Sequence, residues 1–234
     1  MINIHTYTPK LTHLSCSSLQ DVLSTPPIDH RTSDVRSATF YSVTSTQRGL
    51  DGIGLGNLLI KRVVEQLRAE FNNIEHFVTL SPIPGFAKWL DAELTAVEQN
   101  TAVPEKLRNV TPNGVEGLLT LKKHLATPDW HTNTALCELM RRPLTLLCVR
   151  YLLTKRRGFC VNPVAHFHLR NGASLWRINW MGNTNAHGLK SSCGLMVNYK
   201  YDLSLLETNN SVYVTTGGVC VSDSVQEYLD ALDG

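Results

Sequence analysis

Apolar residues alternate with polar ones over Ile2 to Tyr7, Ala38 to Ser45, ATFYSVTS, is rich in β-branched and aromatic residues, and both stretches predict strands. Phe77 to Leu80 predicts a third strand. Leu195 to Leu203, LMVNYKYDL, predicts a last one, with Tyr199 and Tyr201 on one face. Elsewhere the period lengthens to that of a helix. Leu58, Leu59, Val63, Leu67 and Phe71 share one face over residues 57–71, and Phe86, Trp89, Leu90 and Leu94 share another. Leu19, Val22 and Leu23 predict a short helix. Pro104 to Arg108, Val115 to Leu125, Thr134 to Met140 and Leu144 to Leu153 predict further helical pieces, the last two split by Pro143. Ser222 to Leu232 predicts a closing helix, with Ser224 and Glu227 at capping-box spacing. Strands interleaved with helices place the chain in the α/β class, with a mostly helical tract at about 95–160.

Other stretches carry a weaker pattern. Val164 to Leu169 alternates and predicts a strand, which puts His166 and His168 on the same face. Two histidines without a third ligand are insufficient for a metal site, and core packing is the default for each. Asn171-Gly172 turns the chain. The apolar run Ser174 to Trp180 then completes a hairpin, or a strand followed by an irregular bridge. Asn183 to Cys193 is a loop or short helix, while Ser204 to Gly218 and Thr25 to Ser33 are loops. Lys155-Arg156-Arg157 suits a solvated helix end better than a phosphate clamp. No internal repeat is present.

Composition narrows the class. A length of 234 residues with 42% hydrophobic and 18% charged residues supports one large domain with a buried core. A net charge of +2 gives no field directed at nucleic acid or an anionic membrane. The six cysteines form no CxxC pair and read as reduced thiols in a cytosol-like compartment. No apolar run reaches transmembrane length, and residues 1–30 carry neither a signal peptide's apolar core nor a transit peptide's arginine bias.

Two turns are candidates for chemistry. In FVTLSPIPGF, residues 77–86, two prolines and a glycine follow Ser81 and forbid continuation of ladder or helix. Ser81 is therefore expected at the rim of the sheet, where ligands of α/β proteins usually bind. A strand, a serine, a rigid turn and a helix would hold a reactive hydroxyl still; the commoner occurrence is a tight loop with a surface serine. The second turn, Thr46 to Gly56, lies between a strand and a helix and carries Gly49, Gly52, Gly54 and Gly56. Glycines admit backbone N–H groups close to an anion, and a helix N-terminus adds a favourable dipole. The spacing fits neither a Walker loop nor a dinucleotide fingerprint. It resembles the pyrophosphate loop of the N-acetyltransferase (GNAT) superfamily, which holds coenzyme A. Such a cluster also occurs as a turn that only permits tight packing.

LSPIPGF at 80–86, NPVAHFHLRNGA at 162–173, LWRINW at 175–180 and SCGLMVNYKY at 192–201 together resemble the catalytic domain of the malonyl-CoA decarboxylase family. The resemblance covers most of the chain from Ala38 onward. It implies a GNAT-like mixed sheet flanked by helices, with the helical tract as an insertion. It also implies conversion of malonyl-CoA to acetyl-CoA and carbon dioxide without metal or organic cofactor, and a homo-tetramer in a cytoplasmic or mitochondrial-matrix setting. Ser81 and His168, rather than His166, correspond to the family's catalytic serine and histidine. Ser42, Gly52 and Tyr201 correspond to substrate-site residues.

Two departures stand out. Gly54 occupies the substrate-site position where the family has an active-site glutamate, which bears on activity and leaves a non-catalytic acyl-CoA-binding relative as the alternative. The family's helical N-terminal domain and the opening of its catalytic domain would precede Met1. On this expectation, residues 1–234 are a catalytic domain incomplete at its start, or a reduced relative.

Overall fold

The computed structural model describes residues 5–12, 16–24, 35–45, 55–100 and 104–234. The predicted strand at 2–7 falls partly outside these residues. The predicted loop at 25–33 and Gly49, Gly52 and Gly54 of the glycine cluster also lie outside.

The described strands build a mixed six-stranded sheet. Strand β1 (His5–Thr12) pairs antiparallel with β2 (Ser37–Ser45). Helix α1 (Leu19–Ser24) lies between them in sequence, and α2 (Leu55–Glu70) connects β2 to its parallel neighbour β3 (His76–Thr79). Residues Ser81–Pro82 form β4, followed by helix α3 (Phe86–Asn100). A single 3-10 turn at Glu105–Leu107 replaces the helix expected at 104–108, and α4 (Gly114–Leu125) follows.

Helix α5 (Thr134–Leu153) is continuous through Pro143, where the sequence pattern predicts a break. The carbonyl that a proline cannot bond belongs to Leu139, which is 60% exposed and can be solvated. Leu144 to Val149 are all buried, so packing holds the helix together. Lys155-Arg156-Arg157 belongs to a hairpin rather than a helix end. Its strands are β5 (Lys155–Arg156) and β6 (Phe159–Cys160), joined through Arg157 (φ 54) and Gly158 (φ 87).

Residues Pro163–Arg170 form helix α6, not the predicted strand. The deciding signal is Asn162-Pro163. The Asn162 side chain accepts from the Ala165 N–H at 2.9 Å, and the proline sits at the first helical position. On a helix His166 and His168 cannot share a face, so the paired arrangement is lost.

Strand β7 (Ser174–Asn179) and α7 (Ala186–Ser192) lead to β8 (Met196–Lys200), which lies between β7 on one side and β3 and β4 on the other. The segment expected to be a loop at 204–218 contains helix α8 (Leu206–Thr216). Its buried stripe is only Leu206, Asn209 and Tyr213, too sparse and polar to read as periodic. Helix α9 (Asp223–Asp233) closes the chain. Its cap is Ser222, which accepts from the Val225 N–H, rather than Ser224.

One large core joins the sheet to α2, α3, α5, α6, α8 and α9. A smaller cluster of Cys16, Val22, Leu80 and Met196 lies under α1 on the opposite face. Among the described residues, no helix is long and apolar enough to cross a membrane.

Candidate active site

Thr79 and Ser81 lie two residues apart on one extended segment, so their side chains share a face. The Ser81 hydroxyl donates to Thr79 Oγ1 at 2.8 Å and lies 3.2 Å from His168 Nε2. The other ring nitrogen, Nδ1, is 2.6 Å from the Tyr201 hydroxyl. Tyr199 stacks on the imidazole, with ring centroids 4.5 Å apart and planes inclined by 23°. All five residues are buried.

Ser81 is not at a free rim. It pairs with Val197 on β8, and Pro82 pairs with Met196. The proline is tolerated because β4 is the edge strand there.

The SPIPG turn is tied directly to the histidine helix. The Pro84 carbonyl accepts from Asn162 Nδ2 at 2.9 Å and from the Tyr151 hydroxyl at 2.8 Å. Asn162 thus caps α6 with its oxygen and holds the serine turn with its nitrogen. Gly85 has φ +82, and an added Cβ would sit 2.7 Å from the Tyr151 hydroxyl, so both backbone and space require glycine. At its other end, α6 is pinned by two N–H groups, those of Asn171 and Ala173, donated to the His168 carbonyl at 3.1 Å each.

The sheet opens on both sides of Thr79. Val78 opposite Lys200 and Ser81 opposite Val197 keep one register. Between them, side chains take over from the ladder: the Tyr199 N–H donates to Thr79 Oγ1 at 3.1 Å, and Asn198 Nδ2 donates to the Thr79 carbonyl. Asn198 Oδ1 in turn accepts from Arg177 Nε at 3.0 Å and Asn179 Nδ2 at 2.7 Å. On the other side, the β2–β3 register ends at Phe40 opposite Thr79, with one more bond from the Leu80 N–H to the Phe40 carbonyl. Beyond it β2 continues to Ser45 against β1, with a bulge between Phe40 and Val43. Beside Ser81, β2 and β4 are therefore not paired with each other.

Burial pushes the His168 pKa down to about 3, so the ring is neutral at physiological pH. Its Nδ1 partner is a phenol rather than the carboxylate that accompanies a nucleophile-activating histidine. His166 faces elsewhere, with Nδ1 2.9 Å from the Tyr213 hydroxyl, and burial lowers its pKa as well.

The malonyl-CoA decarboxylase C-terminal domain family matches residues 10–233. The chain belongs to this family. It is 43% identical over 202 residues to the mitochondrial malonyl-CoA decarboxylase of Anser anser anser, covering 83% of this chain and 40% of that protein. It is 42% identical over 200 residues to the Mus musculus mitochondrial enzyme, covering 82% and 40% respectively. The chain thus spans about 40% of the length of these curated relatives. Crystal structures of malonyl-CoA decarboxylases from Rhodopseudomonas palustris and Agrobacterium vitis superpose with TM-scores of 0.82 and 0.81 at 34% and 35% identity. Both cover 96% of this chain, and 49% and 53% of theirs. The fold is the GNAT-like mixed α/β fold of this malonyl-CoA decarboxylase domain.

The structure brings Ser81, His168 and Tyr201 together from segments 87 and 33 residues apart. Ser42 falls within the bulged part of β2, beyond the last β2–β3 pair, and its side chain lies outside the described portion. Gly52 and Gly54 lie outside the described residues. Three neighbours escaped the sequence reading as site residues: Thr79, Tyr199 and Asn162. The period of two that placed Tyr199 beside Tyr201 is also the signal that would place Thr79 beside Ser81. For Asn162 the available signal was Asn-Pro as a helix start, which the predicted strand at 164–169 passed over.

Proposed function

We propose that this chain releases carbon dioxide from malonyl-CoA to give acetyl-CoA, with Ser81 and His168 acting as a hydrogen-bonded pair. The observation that carries the reading is the 3.2 Å approach of Ser81 Oγ to His168 Nε2. The family match across residues 10–233 supports it.

Malonyl-CoA carries a carboxylate β to a thioester carbonyl. Loss of carbon dioxide leaves a thioester enolate, and the barrier follows the stabilisation of its developing oxygen charge. A fixed donor near that oxygen contributes about 3 kcal/mol. The Ser81 hydroxyl and backbone N–H groups near the glycine turn at 49–56 are the candidates. The enolate carbon then takes a proton from the Ser81–His168 pair, a transfer that accelerates by ~10²–10⁴-fold. A neutral imidazole suits this role, because a cation beside the departing carboxylate would stabilise the ground state. No metal or organic cofactor enters this scheme. The thioester approaches Ser81 where β2 and β4 are unpaired, and Ser42, Gly52, Gly54 and Tyr201 are the positions that correspond to the family's substrate site.

The domain reading, a single catalytic unit over 1–234 with a helical insertion at about 95–160, and self-association belong to the same proposal. So does a reducing compartment, cytosolic or matrix, in keeping with six free thiols. Gly54 in place of the family glutamate favours one alternative, an acyl-CoA-binding relative without turnover. Malonyl-CoA labelled in its free carboxyl group separates the two. Released label supports the decarboxylase; coenzyme A binding without release supports the binding protein and overturns the proposal.

A further inference from the structure

We infer that Thr79 is a positioning residue that sets the direction of the proton chain through Ser81 and His168. The inference rests on the decarboxylase reading for its chemistry, but the proton arrangement is a property of the resting protein. Ser81 donates its hydroxyl proton to Thr79 Oγ1 at 2.8 Å. Its contact with His168 Nε2 at 3.2 Å then needs the proton to come from the ring. With Nε2 protonated in a neutral imidazole, Nδ1 is bare and accepts from the Tyr201 hydroxyl at 2.6 Å. The chain runs one way: Tyr201 to His168, His168 to Ser81, Ser81 to Thr79.

This polarity is the reverse of the one a nucleophilic serine requires, in which Nε2 is bare and accepts the serine proton. Here the pair is loaded to give a proton. When the C–C bond of the substrate breaks and carbon dioxide leaves, the electron pair passes into the enolate. The Ser81 hydroxyl turns from Thr79 to the enolate carbon and forms the new C–H bond. The Ser81 oxygen takes the Nε2 proton, and Nδ1 takes the phenol proton of Tyr201. Before the next turnover Nδ1 hands its proton back to the Tyr201 oxygen and Nε2 takes one proton from solvent, which restores the starting tautomer.

Thr79 is fixed for this task. Its oxygen also accepts the Tyr199 N–H at 3.1 Å, and its carbonyl accepts from Asn198. It therefore stands where the ladder is interrupted and presents an acceptor that Ser81 reaches without leaving the strand. Without that acceptor the Ser81 hydroxyl would turn to His168 Nε2, moving the ring proton to Nδ1 and reversing the chain.

The test is ¹⁵N NMR of the His168 ring in the full chain, with steady-state kinetics of Thr79→Val and Thr79→Ser. The wild-type ring is expected to be protonated at Nε2 and bare at Nδ1, a result that needs no variant to fold. Thr79→Val should shift the proton to Nδ1 and lower kcat by roughly 10- to 100-fold with little change in KM. Thr79→Ser, which keeps the oxygen, should restore the wild-type tautomer and most of the rate. A wild-type ring protonated at Nδ1, or a Thr79→Val protein with unchanged tautomer and kcat, overturns the inference. If the wild type releases no carbon dioxide, the decarboxylase reading fails, while the ring measurement still decides the role of Thr79.

Discussion

Two tyrosines beside one histidine show how position determines what a residue does. The Tyr199 ring stacks on His168, but its hydroxyl is fully buried and has no hydrogen-bond partner among the described residues. The Tyr201 hydroxyl meets Nδ1. Tyr199→Phe should keep the stack and remove the desolvation cost of that oxygen. Its urea midpoint should rise, corresponding to about 1 kcal/mol. Tyr201→Phe strips the ring of its Nδ1 partner and should lower kcat by roughly tenfold or more. A stability loss in Tyr199→Phe as large as that of a core deletion would show that its hydroxyl has a partner. At this scale the sequence was informative where a period of two applied: it placed Tyr199 and Tyr201 together, and the same rule joins Thr79 to Ser81. It was silent on hydroxyl direction, which depends on neighbours brought in from other elements.

Among elements, the decisive link joins the SPIPG turn to the start of α6. Asn162 serves both, and its two functions can be separated. Asn162→Asp keeps an oxygen for the Ala165 N–H but cannot donate to the Pro84 carbonyl. Asn162→Ala loses both. The cap alone is worth about 1 kcal/mol, and the aspartate sets a buried carboxylate against the Pro84 carbonyl, so both variants should lose stability, and both should lose turnover as Ser81 and His168 drift apart. Thermal melts with kinetics check this, and full turnover in Asn162→Asp would remove the tie from the account. Gly85→Ala should cost about 1–3 kcal/mol, read from denaturant unfolding, because its left-handed backbone and the Tyr151 hydroxyl both oppose a methyl group. Helices α2, α3 and α9 were legible from periodicity because each buries one apolar face, and strands β2, β3 and β8 from short runs of β-branched and aromatic residues, which are buried on both faces. Helices α6 and α8 were not. The first spans only eight residues, too few to separate alternation from a helical period, and the second buries an asparagine in its stripe.

Across the whole molecule, the neutral buried histidine links the site to stability. The unfolded chain's histidine titrates near 6.5, and His168 in the folded protein near 3. Between those values the unfolded state binds a proton that the folded state does not. Stability is therefore full above about pH 6.5 and declines as pH falls towards 3. From pH 7 to pH 5 this group alone should remove about 2 kcal/mol, and His76 and His166, also lowered by burial, act in the same direction. Urea titrations at the two pH values check it, and His168→Gln should flatten the dependence. Fold class and the correspondence of Ser81 and His168 to a catalytic pair could be read from motifs 87 residues apart. The opening of the sheet at Thr79 could not, because it depends on which side chains replace the ladder. The most direct test of the central claim measures carbon dioxide release and coenzyme A affinity together for the wild type and His168→Asn. Release by the wild type, loss of it in the variant and coenzyme A affinity within about threefold are the predicted results. Undiminished release by His168→Asn would contradict the account.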